Sequence, residues 1–149
     1  MIERHDSLVV VTFARIVIPL VQLFALYVLA YGHYGPGGGF QAGVILAATY
    51  ILMALSLGRK PFEERVNERV CLAIAAGGVL LFLLAGVAGF AGGELLDYSR
   101  LPLPVSPVKA RYFGILIIEI GVTAAVAATL VALFCRLADT DTDAEHWPR

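Results

Sequence analysis

Between Ile16 and Gly58 this chain contains no Asp, Glu, Lys or Arg. A water-exposed stretch of that length would carry about ten charges at the usual frequency of soluble domains. A soluble surface is therefore excluded, and lipid becomes the natural surrounding. The whole chain of 149 residues is only 15% charged and 59% hydrophobic, with a mean hydropathy of +0.81, which fits an integral membrane protein. Cysteine is scarce too. Cys71 and Cys135 both fall in apolar segments, which excludes a disulfide framework and reads as two small buried hydrophobes. His5 and His146 sit in the tails with no cluster of histidines or cysteines around them, so neither a metal site nor a cofactor is expected. A net charge of −1 gives no basic footprint for nucleic acid. There is no nucleophile–base arrangement, so nothing points to an enzyme acting alone. A secretory leader is not expected either, because the first apolar stretch is too long and no small-residue cleavage pattern follows it.

What is present is a series of four continuous apolar runs, over residues 8–31, 38–57, 70–90 and 112–137. Each meets the roughly 20 residues that an α-helix needs to cross the hydrocarbon core. They lack the strict in–out alternation of membrane β-strands. The expected fold is therefore all-α: one membrane domain over residues 1–149 with four transmembrane helices. Orientation follows from Lys and Arg in the short loops. Arg4, Arg15, Arg59, Lys60, Arg65, Arg69, Arg136 and Arg149 fall on one side, and only Arg100, Lys109 and Arg111 on the other. This predicts that both termini are cytoplasmic. The 58–69 connector reads as a solvated loop with arginines at lipid headgroups; a surface helix from Pro61 that docks another protein is the alternative. Pro102, Pro104 and Pro107 predict an extended strap in the outer loop. The acidic tail, 139–149, is expected to be flexible.

Between the first two runs lies the turn Gly32-His33-Tyr34-Gly35-Pro36-Gly37-Gly38-Gly39-Phe40-Gln41-Ala42-Gly43. Pro36 suits a helix start, and Gly37, Gly38 and Gly39 permit a tight reversal. Gly39, Gly43 and Ala47 recur every four residues, a small-residue stripe that lets helices approach closely in lipid. A tight hairpin with a packing face explains these residues. A second reading adds that the amides opening the second helix face an ion or another protein. A phosphate loop is excluded, since its Lys is missing.

Glu119 is the one acidic residue inside any of the four runs. A carboxylate in hydrocarbon costs several kcal/mol, so such residues face a bundle interior or an ion path. A proton- or cation-linked role is expected, with a structural carboxyl as the alternative. Counted from the outer ends of their runs, Gln22 and Glu119 differ in depth by about 3 Å. That predicts a shared hydrogen bond or one polar cavity. Arg15 lies about 13 Å deeper by the same count, too far for a direct ion pair. It is expected to snorkel to the surface or to meet a partner's acid. Pro19 should bend the first helix. His33 could relay protons or simply brace the turn.

The pattern Gly32-His33-x-x-Pro36-Gly37-Gly38-Gly39-Phe40 followed by Gln41-Ala42-Gly43 resembles the MrpB/MnhB family, small membrane subunits of Mrp-type (Mnh-type) multisubunit cation/proton antiporters. Arg15, Pro19 and Glu119-Ile120-Gly121-Val122 are similar to that family's pattern as well. Tyr34-Gly35 departs from it, as does Glu where Asp is common at the intramembrane acid. The resemblance implies a small non-catalytic subunit of a large membrane assembly that exchanges Na+ for H+, with the other antiporter subunits and the lipid bilayer as partners. Pro36 and Phe40 would be motif residues and Glu119 the intramembrane acid, with Gln22 and His33 beside it on the ion pathway. The same module in a membrane-bound hydrogenase-type complex is an alternative. A small homo-oligomeric exporter and an inert membrane scaffold are the others.

Overall fold

A computed structural model describes residues 8–32, 34, 37–58, 62, 66–90 and 106–144, without the side chains of 89 and 139–144. All regular structure among these residues is helical. The four long helices are α1 (Leu8–Tyr31), α2 (Gly39–Leu57), α3 (Glu68–Phe90) and α4 (Pro107–Ala144). Each contains a segment long and apolar enough to cross a membrane, as the four apolar runs require.

The helix ends follow local chemistry. Gly38 caps α2 with φ at 126°, a conformation costly for any residue with a Cβ, and its carbonyl accepts the Ala42 amide at 3.0 Å. Gly58, also at positive φ, ends the same helix by donating its amide to the Ala54 carbonyl at 3.2 Å. Asn67 opens α3: its Oδ1 accepts the Arg69 amide at 2.9 Å, a side-chain cap of the usual kind. Helix α4 begins at Pro107, five residues before the expected start of the fourth run at residue 112. Pro at a first helical position gives up an amide that has no helical partner anyway, so this proline starts the helix instead of extending the strap. Pro102 and Pro104 lie outside the described residues. At its other end α4 runs on to Ala144, so residues 139–144 of the expected flexible tail continue the helix, as elongation of an existing helix readily allows.

The helices do not close into a square bundle. Helix α1 packs on α2, α2 on α4 and α4 on α3; α1 touches α4 only slightly, and among the described residues α3 meets neither α1 nor α2. The spatial order is therefore α1–α2–α4–α3, an open row. Lipid tails are as apolar as the side chains, so nothing drives such a row to close on itself. The core gathers where the first half of α1, the end of α2 and the second half of α4 meet, with Ala14, Ile18, Met53, Ala54, Ala128 and Val131 among its members. Phe62, from the connector, is buried there and meets Phe134 edge-on at 6.1 Å between ring centres. The connector is thus anchored at one point, whereas residues 59–61 and 63–65 lie outside the described residues. Cys71 is buried and Cys135 half-buried, and neither forms a disulfide.

Candidate functional site

Helices α2 and α4 run parallel, and their register places the glycine turn against the intramembrane acid. A Cβ on Gly39 would stand 2.9 Å from the Glu119 Cα, and one on Gly43 would stand 2.9 Å from the Thr123 carbonyl oxygen. Two residues four apart on α2 thus rest on two residues four apart on α4. Side chains at that spacing share one helix face, so the contact continues along both helices. Only glycine at position 39 allows the approach.

The Glu119 carboxylate is delivered into the turn itself. Its Oε1 lies 3.1 Å from where a Cβ on Gly32 would sit and 3.7 Å from the equivalent point on Gly38. It therefore occupies the narrow space between the end of α1 and the start of α2. Thr123, 5% exposed, sits one turn below it on α4. Its hydroxyl lies 2.9 Å from the Gly39 carbonyl oxygen and 2.7 Å from the Glu119 carbonyl oxygen, and its single proton is shared between them. Gly37 is equally confined, since a Cβ there would meet Gly32 Cα at 2.9 Å and the Val28 carbonyl at 3.0 Å. Phe40 points away and is 64% exposed. From the turn, the Tyr34 ring lies between those of Tyr31 at 5.6 Å and Tyr112 at 6.4 Å, tilted against both, tying α1 to the first turns of α4.

Gln22 does not join Glu119. Its Nε2 donates to the Thr49 hydroxyl at 3.4 Å, and that hydroxyl donates to the Leu46 carbonyl at 2.7 Å. Thr49 lies ten residues past Gly39 along α2, so Gln22 sits about 15 Å below the Glu119 level. The expected 3 Å difference fails because it assumed that both helices end flush at the surface. Instead α4 starts twelve residues before Glu119 and rises beside the turn. The antiparallel pairing of Gln22 with Thr49 sets Arg15 opposite Ser56, about 25 Å from the Glu119 level. Arg15 is exposed there, close to the end of α2, where its stem can carry the guanidinium to the membrane surface. Pro19 is exposed within a continuous α1. His33 and Pro36 lie outside the described residues.

The same α4 makes a second close crossing that the sequence reading did not single out. A Cβ on Gly78 would fall 2.5 Å from the Gly121 carbonyl oxygen and 2.7 Å from the Ala125 amide nitrogen. Thr123 was missed as well. Its signal was the i,i+4 pair Glu119–Thr123, which matches the spacing of Gly39–Gly43.

A family profile described as "Domain related to MnhB subunit of Na+/H+ antiporter" matches residues 9–132, from the start of α1 into the second half of α4. This chain belongs to the MnhB family. It is similar to a Na(+)/H(+) antiporter subunit of the B type from Bacillus subtilis, with 26% identity over 137 residues, covering 86% of this chain and 95% of the relative. A putative antiporter subunit mnhB2 of Staphylococcus saprophyticus is 27% identical over 135 residues, covering 85% and 96%. A Methanocaldococcus jannaschii protein is 34% identical over 113 residues, 68% of this chain but only 41% of that protein. The matching stretch therefore also occurs inside a longer chain.

Proposed function

We propose that this MnhB-family chain is a non-catalytic subunit of a multisubunit Na+/H+ antiporter, and that Glu119 is its proton-exchanging group. The observation that carries this reading is the carboxylate held between the end of α1 and the start of α2. The last carbonyls of one helix and the first amides of the next are the groups that intrahelical bonding leaves over. The carboxyl therefore sits where leftover backbone donors and acceptors converge, the kind of surrounding that a group exchanging protons needs.

The chain is a multi-pass membrane protein, and its other partners are the remaining antiporter subunits. The bias of Lys and Arg supports cytoplasmic termini and an outward-facing glycine turn. Glu119 would then exchange protons near the outer mouth of a path, and Gln22 with Thr49 would form a separate polar contact deeper in the membrane. In the assembled complex, Glu119→Gln is expected to lower Na+-dependent proton exchange by about tenfold or more while the complex is recovered at its normal level. Undiminished exchange by an intact complex would falsify the assignment. A C-terminal reporter active only in the cytoplasm tests the orientation.

A further inference from the structure

We infer that Thr123 is a positioning residue for the Glu119 carboxyl; this rests on the assignment of Glu119 as the proton-exchanging group. The Thr123 hydroxyl is shared between the carbonyl of Gly39, the first residue of α2, and the carbonyl of Glu119 itself. One buried hydroxyl thus ties the start of one helix to the residue on its neighbour that bears the acid. A carbonyl oxygen has two lone pairs, so Gly39 accepts this bond without leaving its own helix. A hydroxyl turned back on the carbonyl four residues earlier often bends a helix slightly. Here the same hydroxyl keeps that bond and also reaches the Gly39 carbonyl on α2.

Close packing does not need it. The crossing of α3 and α4 at Gly78 and Gly121 brings backbones equally near, although residues 70–90 of α3 include no Ser, Thr or Tyr. What the hydroxyl adds is axial register. A slide of one residue between α2 and α4 would move the carboxyl by about 1.5 Å relative to the turn. A hydrogen bond weakens over a few tenths of an ångström of lengthening. With Thr123 in place, the carboxyl is held at the gap between Gly32 and Gly38. Without it, the apolar stripe alone must choose the register.

The test uses the whole antiporter complex. Thr123→Val keeps the branched shape and removes the hydroxyl, whereas Thr123→Ser keeps the hydroxyl. Exchange per intact complex should fall about fivefold in Thr123→Val and return to within about twofold of the unmodified complex in Thr123→Ser. Infrared difference spectra should move the carboxyl band that Glu119→Gln abolishes, in Thr123→Val only. Unchanged exchange in Thr123→Val overturns the inference. So does equal loss in both variants, or failure of the Thr123→Val complex to assemble, because each makes the residue a packing element. If Glu119→Gln itself leaves exchange unchanged, the assignment of the carboxyl fails first, whatever Thr123 does.

Discussion

Helix α4 is gripped on two sides by glycines, and the two grips differ in kind. On the α3 side, Gly78 meets Gly121 and Ala125, a dry contact between backbones. On the α2 side, Gly39 and Gly43 meet Glu119 and Thr123, and the contact contains a carboxyl and a shared hydroxyl. Both solve the same packing problem in lipid, where small residues allow helices to associate. The dry crossing demonstrates that packing alone needs no polar side chain. The carboxyl on the other side therefore adds a cost that packing does not explain, and the proposed proton-exchange role would account for it.

That contrast can be broken at its strongest point by Gly39→Ala. The added Cβ collides with the α4 backbone, which cannot swing away as a flexible side chain would, and overpacking of this sort costs about 1–3 kcal/mol. The turn would lift from Glu119, so native gels should show less complex and the remaining complex should exchange poorly. Gly78→Ala makes a comparable backbone collision on the dry side. Recovery of complex should fall by a similar amount, but exchange per intact complex should stay near normal. If both substitutions impair exchange equally, the two grips are equivalent and the distinction collapses. The smallest effect is expected for Glu68→Gln. This removes an ion pair with Arg136 whose side chains are 34% and 70% exposed, so the change should stay within about 0.5 kcal/mol and leave thermal stability of the purified complex almost unmoved.

The four helices were legible because continuous apolar runs of membrane length admit few other readings, and the turn motif carried the family. The site was only half legible. Glu119 stood out as the one acid among apolar neighbours, and the Gly39–Gly43–Ala47 stripe announced a packing face. That the two meet depends on the axial offset of α2 against α4, and no residue encodes that offset locally. Counting depth from the ends of each run assumed flush helices, and Pro107 undermined it by starting α4 early. Gln22 was placed beside Glu119 for that reason, whereas its partner is Thr49. Thr123 passed unnoticed because a lone threonine in an apolar helix ordinarily bonds its own preceding turn.

The bond from Thr123 to Gly39 joins residues 84 positions apart. At roughly 5–20 residues per second of synthesis, the ribosome needs on the order of ten seconds between delivering one and delivering the other. For part of that interval the hairpin of α1 and α2 is complete but lacks the acid that packs against its turn. Companion proteins that dock early would meet a hairpin whose intramembrane acid has yet to be made, and if Glu119 exchanges protons as proposed, that exchange waits for the last helix.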